Sequence, residues 1–241
     1  MKKVIITGAT SGIGRELAIQ LSQKGYAVGL IGRREDRLVE LKREIGDSAF
    51  IRPLDVTDFE KAEATYQSLI EEMGGLDIMI LNAGVGRDHL KLNWDSDKQT
   101  IDVNVTAFAH GANVAFQYFV DQKRGQIVGM SSIASTLSSG RAAAYTASKH
   151  FISNYMTGFR QKANRWGLDI AITDIKPGYV ESEMTAQNKN MFWVATTEKA
   201  VKQMVRAIES RKNHAYITRR WRLIAWVAKL TPQFIWDRLK F

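Results

Sequence analysis

From residue 4 to residue 177, short apolar runs alternate with longer stretches of helical periodicity, and this alternation leaves the chain very few architectures. The runs are Val4 to Thr7, Ala27 to Ile31, Phe50 to Leu54, Leu76 to Leu81, Gln126 to Met130 and Leu168 to Ile175. Runs this apolar suit strands covered on both faces, as parallel sheets require. Helical patterns fill the gaps: Arg15 to Lys24, Arg34 to Ile45, Asp58 to Gly74, about Asp95 to Gln122, and about Ala142 to Arg165. A further helix from Glu198 to Glu209 and a seventh strand from His214 to Thr218 complete the pattern. It predicts an α/β fold, a doubly wound parallel sheet of about seven strands with helices on both faces. A chain of 241 residues fits one such domain and would be cramped as two. We place that domain at residues 1–218, with a distinct tail at 219–241.

Composition excludes several functions. There is no cysteine, so disulfides and thiolate ligands are ruled out, and four scattered histidines are a poor basis for a metal site; no metal is expected. The opening apolar run breaks at Gly8, too early for a signal peptide, and the chain is expected to be cytoplasmic. From Glu198 onward eleven Lys/Arg face Glu198, Glu209 and Asp237, so residues 198–241 hold +8 of the net +9 charge and leave +1 for residues 1–197. A nucleic-acid binder would carry basic residues on its folded body as well, and no nucleic-acid partner is expected.

In doubly wound folds ligands bind at the carboxyl ends of the strands, and most of the marked residues stand there. The first run leads into Gly8-Ala9-Thr10-Ser11-Gly12-Ile13-Gly14 and then a helix. Missing side chains in such a turn let a pyrophosphate approach backbone N–H groups at the helix's positive end. The second run ends at Gly32-Arg33-Arg34, where an acid would hold the ribose hydroxyls of NAD and an arginine suits the 2′-phosphate of NADP. We therefore expect NADP(H), with Arg33 as the main contact and Arg34 beside it. Asp55 and Val56 follow the third run. Asn82-Ala83-Gly84-Val85-Gly86 follows the fourth, small enough for a nucleotide to lie close. Ser131 and Ser132 follow the fifth. Tyr145 and Lys149 lie four apart on one helix face, where the ammonium can favour phenolate and prepare Tyr145 for proton exchange near neutrality.

Taken in order, Thr7-Gly8-x-x-x-Gly12-x-Gly14, Asn82-Ala83-Gly84, Asn104, Ser132, Tyr145-x-x-x-Lys149 and Pro177-Gly178-x-Val180 closely resemble the short-chain dehydrogenase/reductase family in its compact single-domain form. The likeness covers about residues 1–185. It implies a Rossmann-type fold and reversible hydride transfer between a nicotinamide and a carbonyl/alcohol pair. It further implies that Ser132, thirteen residues before Tyr145, hydrogen-bonds the substrate oxygen, with Ser131 the alternative. Tyr145 then gives that oxygen its proton, and Lys149 lowers the tyrosine pKa and holds the nicotinamide ribose. Asn104 anchors a water that links Lys149 to solvent, or is a satisfied core polar group. Val180 offers backbone groups to the carboxamide, and Ser182 stands where the family often has threonine. Family members commonly form homodimers or homotetramers through the two long helices carrying Asn104 and Tyr145.

Residues 184–197 read as a substrate lid, and Met184, Met191, Phe192, Trp193 and Val194 there suit an apolar substrate or simply cover the core. In the tail, Arg219-Arg220-Trp221-Arg222-Leu223-Ile224-Ala225-Trp226-Val227-Ala228-Lys229-Leu230 is too short in its apolar part to span a bilayer. It suits peripheral contact with an anionic membrane face, a roof over the active site, or packing on a neighbouring subunit. The functional expectation is an NADP(H)-dependent carbonyl reductase or alcohol dehydrogenase acting on an apolar substrate. The alternative is a non-catalytic NADP(H)-binding sensor or interaction protein working through its tail. A sugar-nucleotide epimerase would want a larger region after the sixth strand.

Overall fold

The computed structural model describes residues 1–86, 91–186, 191–236 and 238; parts of the expected lid and tail, 187–190, 237 and 239–241, lie outside the described residues. Strands β1 (Lys3–Thr7), β2 (Ala27–Gly32), β3 (Ala49–Pro53), β4 (Ile78–Leu81), β5 (Arg124–Met130), β6 (Asp169–Pro177) and β7 (His214–Ile217) form one sheet in the order β3-β2-β1-β4-β5-β6-β7. Every pairing is parallel. The helices are α1 (Gly12–Gln23), α2 (Glu35–Ile45), α3 (Phe59–Met73), α4 (Trp94–Ile101), α5 (Phe108–Gln122), α6 (Ala143–Arg165), α7 (Thr197–Glu209), α8 (Trp221–Leu230) and the short α9 (Gln233–Trp236).

Both faces of the sheet are covered because the strand residues are apolar on both. Val4, Ile6, Val28, Leu30, Ile78 and Ile80 join the cluster that includes Leu17 and Leu21 of α1, Leu38 of α2 and Met204 of α7. Ile5, Ile31, Met79 and Ile127 join the other, with Tyr66 of α3, Phe116 of α5 and Ile152 of α6. Between β1 and β4 the strand order reverses, and the connections leave in opposite directions. A crevice opens there at the carboxyl ends, where such folds bind ligands.

Two expectations change. The single helix expected from Asp95 to Gln122 is three segments, α4 and α5 joined by a π-helical turn over Asp102–Ala107. A π turn carries one extra residue, a local cost that recurs at functional sites, and Asn104 lies within it. The segment beyond residue 218 is also packed against the domain: Trp221 and Ala225 of α8 form a small cluster with Ile133, joined by Tyr179 and Tyr216.

Candidate active site

The first wall of the crevice is the β1–α1 turn. Gly8 (φ +70°) and Gly12 (φ +51°) adopt left-handed backbone that side-chain-bearing residues avoid. A Cβ on Gly14 would sit 2.1 Å from the Gly8 carbonyl oxygen, so α1 begins hard against the turn. The glycine cradle therefore fits a nucleotide pyrophosphate on steric grounds. Asn82 shapes it rather than lining it: its amide nitrogen donates to the Thr7 and Gly8 carbonyls, 3.1 Å each. The Thr7 hydroxyl accepts from the backbone N–H groups of Asn82 and Ala83. These bonds lock the end of β4 to the end of β1.

At the end of β2 the two arginines diverge. Arg33 leans outward, 60% exposed and 3.7 Å from Asp55, whose carboxylate also accepts from Thr57. Arg34 instead turns inward and donates to the hydroxyls of Thr10 (3.0 Å) and Ser11 (2.8 Å) in the glycine turn. The arginine seated on the turn is thus Arg34, while Arg33 stands outside it. Arg37, one turn further along α2, joins Arg34 on the Glu183 carboxylate. Hydrogen bonds from Arg37 and then Arg34 pull that carboxyl down to about 2. The side chain of Ser182 lies over Gly12, so this segment meets the glycine turn. Neither Arg37 nor Glu183 was singled out in the sequence. The spacing Arg34 to Arg37 is a helical repeat, but their shared carboxylate comes from a turn beyond β6, 146 residues away from Arg37.

On the other side of the crevice stand Ser132, Tyr145 and Lys149. Ser132 follows β5 and begins a 3₁₀ turn, Ile133–Thr136, accepting from the Ala134 N–H at 3.1 Å and donating to the Pro177 carbonyl at 3.3 Å. Its hydroxyl also acts on the Tyr145 phenol, in the direction that favours phenolate. Ser131 points the opposite way and donates to Asp174 and to the Ile175 carbonyl. Successive residues at a strand end face opposite sides of the sheet, and that alternation selects Ser132. Asp174 and Lys176, both buried and 2.6 Å apart, anchor Ser131's side from β6. Burial alone would raise the Asp174 carboxyl, but His214, Lys176 and Ser131 together hold it far below the usual carboxylate range.

The electrostatics of Tyr145 and Lys149 differ from the expectation. Burial pushes the phenol up, the Ser132 hydroxyl pulls it back only in part, and Tyr179 adds to the rise. Burial also pushes Lys149 down from 10.5 to about 8, against the pull of Asp174. Its ammonium lies 5.5 Å from the Tyr145 ring centroid and donates to the Met130 carbonyl at 3.0 Å. In so dry a setting each charge loses more hydration than the other returns, so the phenol keeps its proton.

Asn104 is fully buried, its side chain used by the Val85 backbone N–H (2.8 Å) and carbonyl (2.7 Å) and by the Ser148 hydroxyl (3.0 Å). That favours the satisfied-polar reading of its side chain. A Cβ on Gly84 would fall 3.3 Å from Asn104 Oδ1 and 3.5 Å from Lys149 Nζ, so β4's end threads between them. Gly86 lies against the tyrosine: a Cβ there would meet the Tyr145 ring at 2.3 Å. Sequence reading placed Gly86 in a run of small residues that lets a nucleotide lie close, and gave it no part beside Tyr145.

The remaining expected residues lie at the margins. Ile13 packs on the core beside the glycine turn, and Val56 packs beneath β3. Val180 is buried, bridging to Ala195. Gly178 makes room for a ring, since a Cβ there would strike the Trp221 indole at 1.9 Å. Trp221 packs in turn on Tyr179, Phe192 and Trp193, and Arg220 donates to the Trp193 carbonyl at 2.9 Å. Helix α8 thus clamps the described part of the lid.

A parallel sheet with a glycine cradle on one side of its crevice and a serine and a tyrosine beside a buried lysine on the other defines a nucleotide-dependent oxidoreductase. The short chain dehydrogenase family model matches residues 2–193, and the chain belongs to that family of pyridine-nucleotide-dependent oxidoreductases. It is 35% identical over 245 residues to an uncharacterized oxidoreductase of Myxococcus xanthus, covering 98% of this chain and 95% of that protein. A short-chain dehydrogenase/reductase from Burkholderia phymatum in complex with NAD shares the fold, with TM-score 0.85, 20% identity, and coverage of 93% and 92%. The closed form of a serine dehydrogenase complexed with NADP+ has TM-score 0.78 and 25% identity, covering 89% of this chain and 94% of that one.

Proposed function

We propose that the chain interconverts a carbonyl and an alcohol on an apolar substrate with NADP(H), Tyr145 acting as general acid in reduction and general base in oxidation. The observation that carries this reading is the setting of Tyr145 in the first turn of α6, its ring 5.5 Å from the buried Lys149 ammonium and against Gly86 beyond β4, with Ser132 following β5. When bound, the nicotinamide supplies the hydride for reduction and takes it in oxidation. Ser132 holds the substrate oxygen by a hydrogen bond, and the Tyr145 phenol donates its proton to that oxygen as the carbonyl carbon is reduced. A phenol held protonated by burial is ready for that direction. Lys149, beside the phenol, would hold the nicotinamide ribose and offset the negative charge left on Tyr145. The preference for NADP(H) rests on Arg34 and Arg37, which converge on one carboxylate over the glycine turn, a geometry a 2′-phosphate would exploit in the place of Glu183. Arg33 is a second, outer contact. The apolar substrate rests on Phe192, Trp193, Tyr179 and Trp221 meeting above Gly178.

The proposal includes a cytoplasmic homodimer or homotetramer paired through the helices carrying Asn104 and Tyr145. The test is NADPH oxidation against a panel of hydrophobic ketones and aldehydes, with NADH and a Tyr145→Phe variant in parallel. Turnover with NADPH preferred and a silent variant is expected. NADPH binding without turnover of any panel member, or a variant as active as the parent, would overturn the assignment.

A further inference from the structure

Helix α8 is apolar on two opposite sides. Its inner side, Trp221, Ala225 and Ala228, is buried against the domain. Its outer side carries Leu223 (62% exposed), Trp226 (56%), Val227 (65%) and Leu230 (83%), and Phe234 of α9 continues it at 60%. At about 100° per residue the four outer side chains of α8 make a stripe about 100° wide, centred opposite the buried face. A helix that is apolar all round is ordinarily buried all round, and a contiguous patch of this kind marks a contact surface.

Charge identifies what it contacts. From Ser210 to Trp236 the chain contains no Asp or Glu, while Arg211, Lys212, Arg219, Arg220, Arg222 and Lys229 are all basic. Arg222 flanks the stripe with its guanidinium 5.1 Å from the Trp226 ring centroid, placing a cation at the depth of an amphipathic ring. Beside α8, along the edge of β7, runs a cleft of about 1410 Å³ whose lining includes Arg206, Lys212, His214, Arg219 and Arg222 and, among the described residues, no acidic one. Two copies of this face brought together would set arginines against arginines with no carboxylate between them. An anionic bilayer supplies both an apolar layer for the stripe and phosphates for the arginines. No helix among the described residues is long and apolar enough to cross a membrane, and α8, at ten residues, can only lie along the interface.

We propose that α8, continued by α9, is a membrane-interface helix that seats the protein on anionic lipid, with Leu223, Trp226, Val227 and Leu230 in the acyl boundary and Arg219 and Arg222 at the phosphates. This surface is independent of the catalytic assignment, and its test does not require turnover. The full chain is floated with phosphatidylcholine vesicles with and without about one-third phosphatidylglycerol. Binding to the anionic vesicles is expected, with partition about 100-fold weaker on the neutral ones. Leu223→Glu/Leu230→Glu and Arg219→Glu/Arg222→Glu should each lower anionic partition at least about tenfold, and because these side chains are exposed the thermal midpoint should not move. Absence of binding to anionic vesicles, equal partition to both compositions, or unchanged binding by both variants overturns the proposal. So does a variant that converts a dimer to a monomer in size-exclusion chromatography without altering vesicle binding, which would assign the stripe to a second copy.

Discussion

Substituting Gly86 by alanine should disable proton transfer while leaving the fold nearly intact. The added Cβ would lie 2.3 Å from Cδ2, 2.8 Å from Cε2 and 3.0 Å from Cγ of Tyr145. Carbon atoms settle at about 3.5 Å or more, so the ring must retreat by roughly 1.2 Å. Gly86 ends a backbone segment whose preceding residue, Val85, is held at both N–H and carbonyl by Asn104, so the ring gives way rather than the chain. Retreat carries the phenol away from Ser132, and a misplacement of about 1 Å costs on the order of 100-fold in turnover, about 2.7 kcal/mol of barrier. The Tyr145 phenol is enclosed but the residue as a whole keeps intermediate exposure, so the stability loss should stay near the low end of overpacking, about 1 kcal/mol, or about 3 °C in Tm for a chain of this size. The assay is steady-state NADPH oxidation with the best ketone of the panel, alongside NADPH binding by fluorescence and thermal unfolding. Gly86→Ala should cost about 100-fold alone and almost nothing in a Tyr145→Phe background, because both act through one phenol. A kcat within threefold of the parent, or a full additional loss in the Tyr145→Phe background, would refute the reasoning.

Five further outcomes are expected. Lys149 sits at about 8 in the folded protein against 10.5 ordinarily, while the Tyr145 phenol is raised. kcat/KM for reduction should therefore bend downward above about pH 8 as the ammonium neutralises, and a pH profile flat from about pH 7 to 9 would contradict it. Ser132→Ala should cost about 100-fold or more in kcat with stability little changed. Ser131→Ala, which removes a bond to buried Asp174, should lower stability by about 1–3 kcal/mol in urea unfolding and spare kcat. Arg34→Ala should raise KM for NADPH about tenfold while changing KM for NADH less than threefold; equal effects would remove the phosphate assignment. Asp174→Ala strands buried Lys176 and should cost about 3–5 kcal/mol. Because the Asp174 carboxyl is depressed, its stabilisation in the parent is present above about pH 4 and fades as acid carries the pH down through the lower folded value, so the deficit of the variant should shrink on acidification.

The order of strands and helices, and most residues around the crevice, were legible in the sequence because each depends on local chemistry. Apolar runs such as Val4 to Thr7 must be buried on both faces, and Gly8 and Gly12 hold dihedrals that few other residues accept. Tyr145 and Lys149 share a helix face by spacing alone. The sequence was equally sufficient to locate the net positive charge in the last fifth of the chain.

What needed the tertiary structure is what depends on which way a side chain turns and what lies across from it. Arg33 and Arg34 are indistinguishable as neighbours in sequence, and only the strand-end geometry sends one to Asp55 and the other to Thr10 and Ser11. Gly86 gains its meaning from a ring on another helix, and Gly178 from an indole beyond residue 218. The direction of the Tyr145 shift is the sharpest case: spacing predicts an ammonium that favours phenolate, yet burial moves both groups toward their neutral forms. Burial is a property of the packed molecule, set by every element that closes over the site, and no local pattern encodes it.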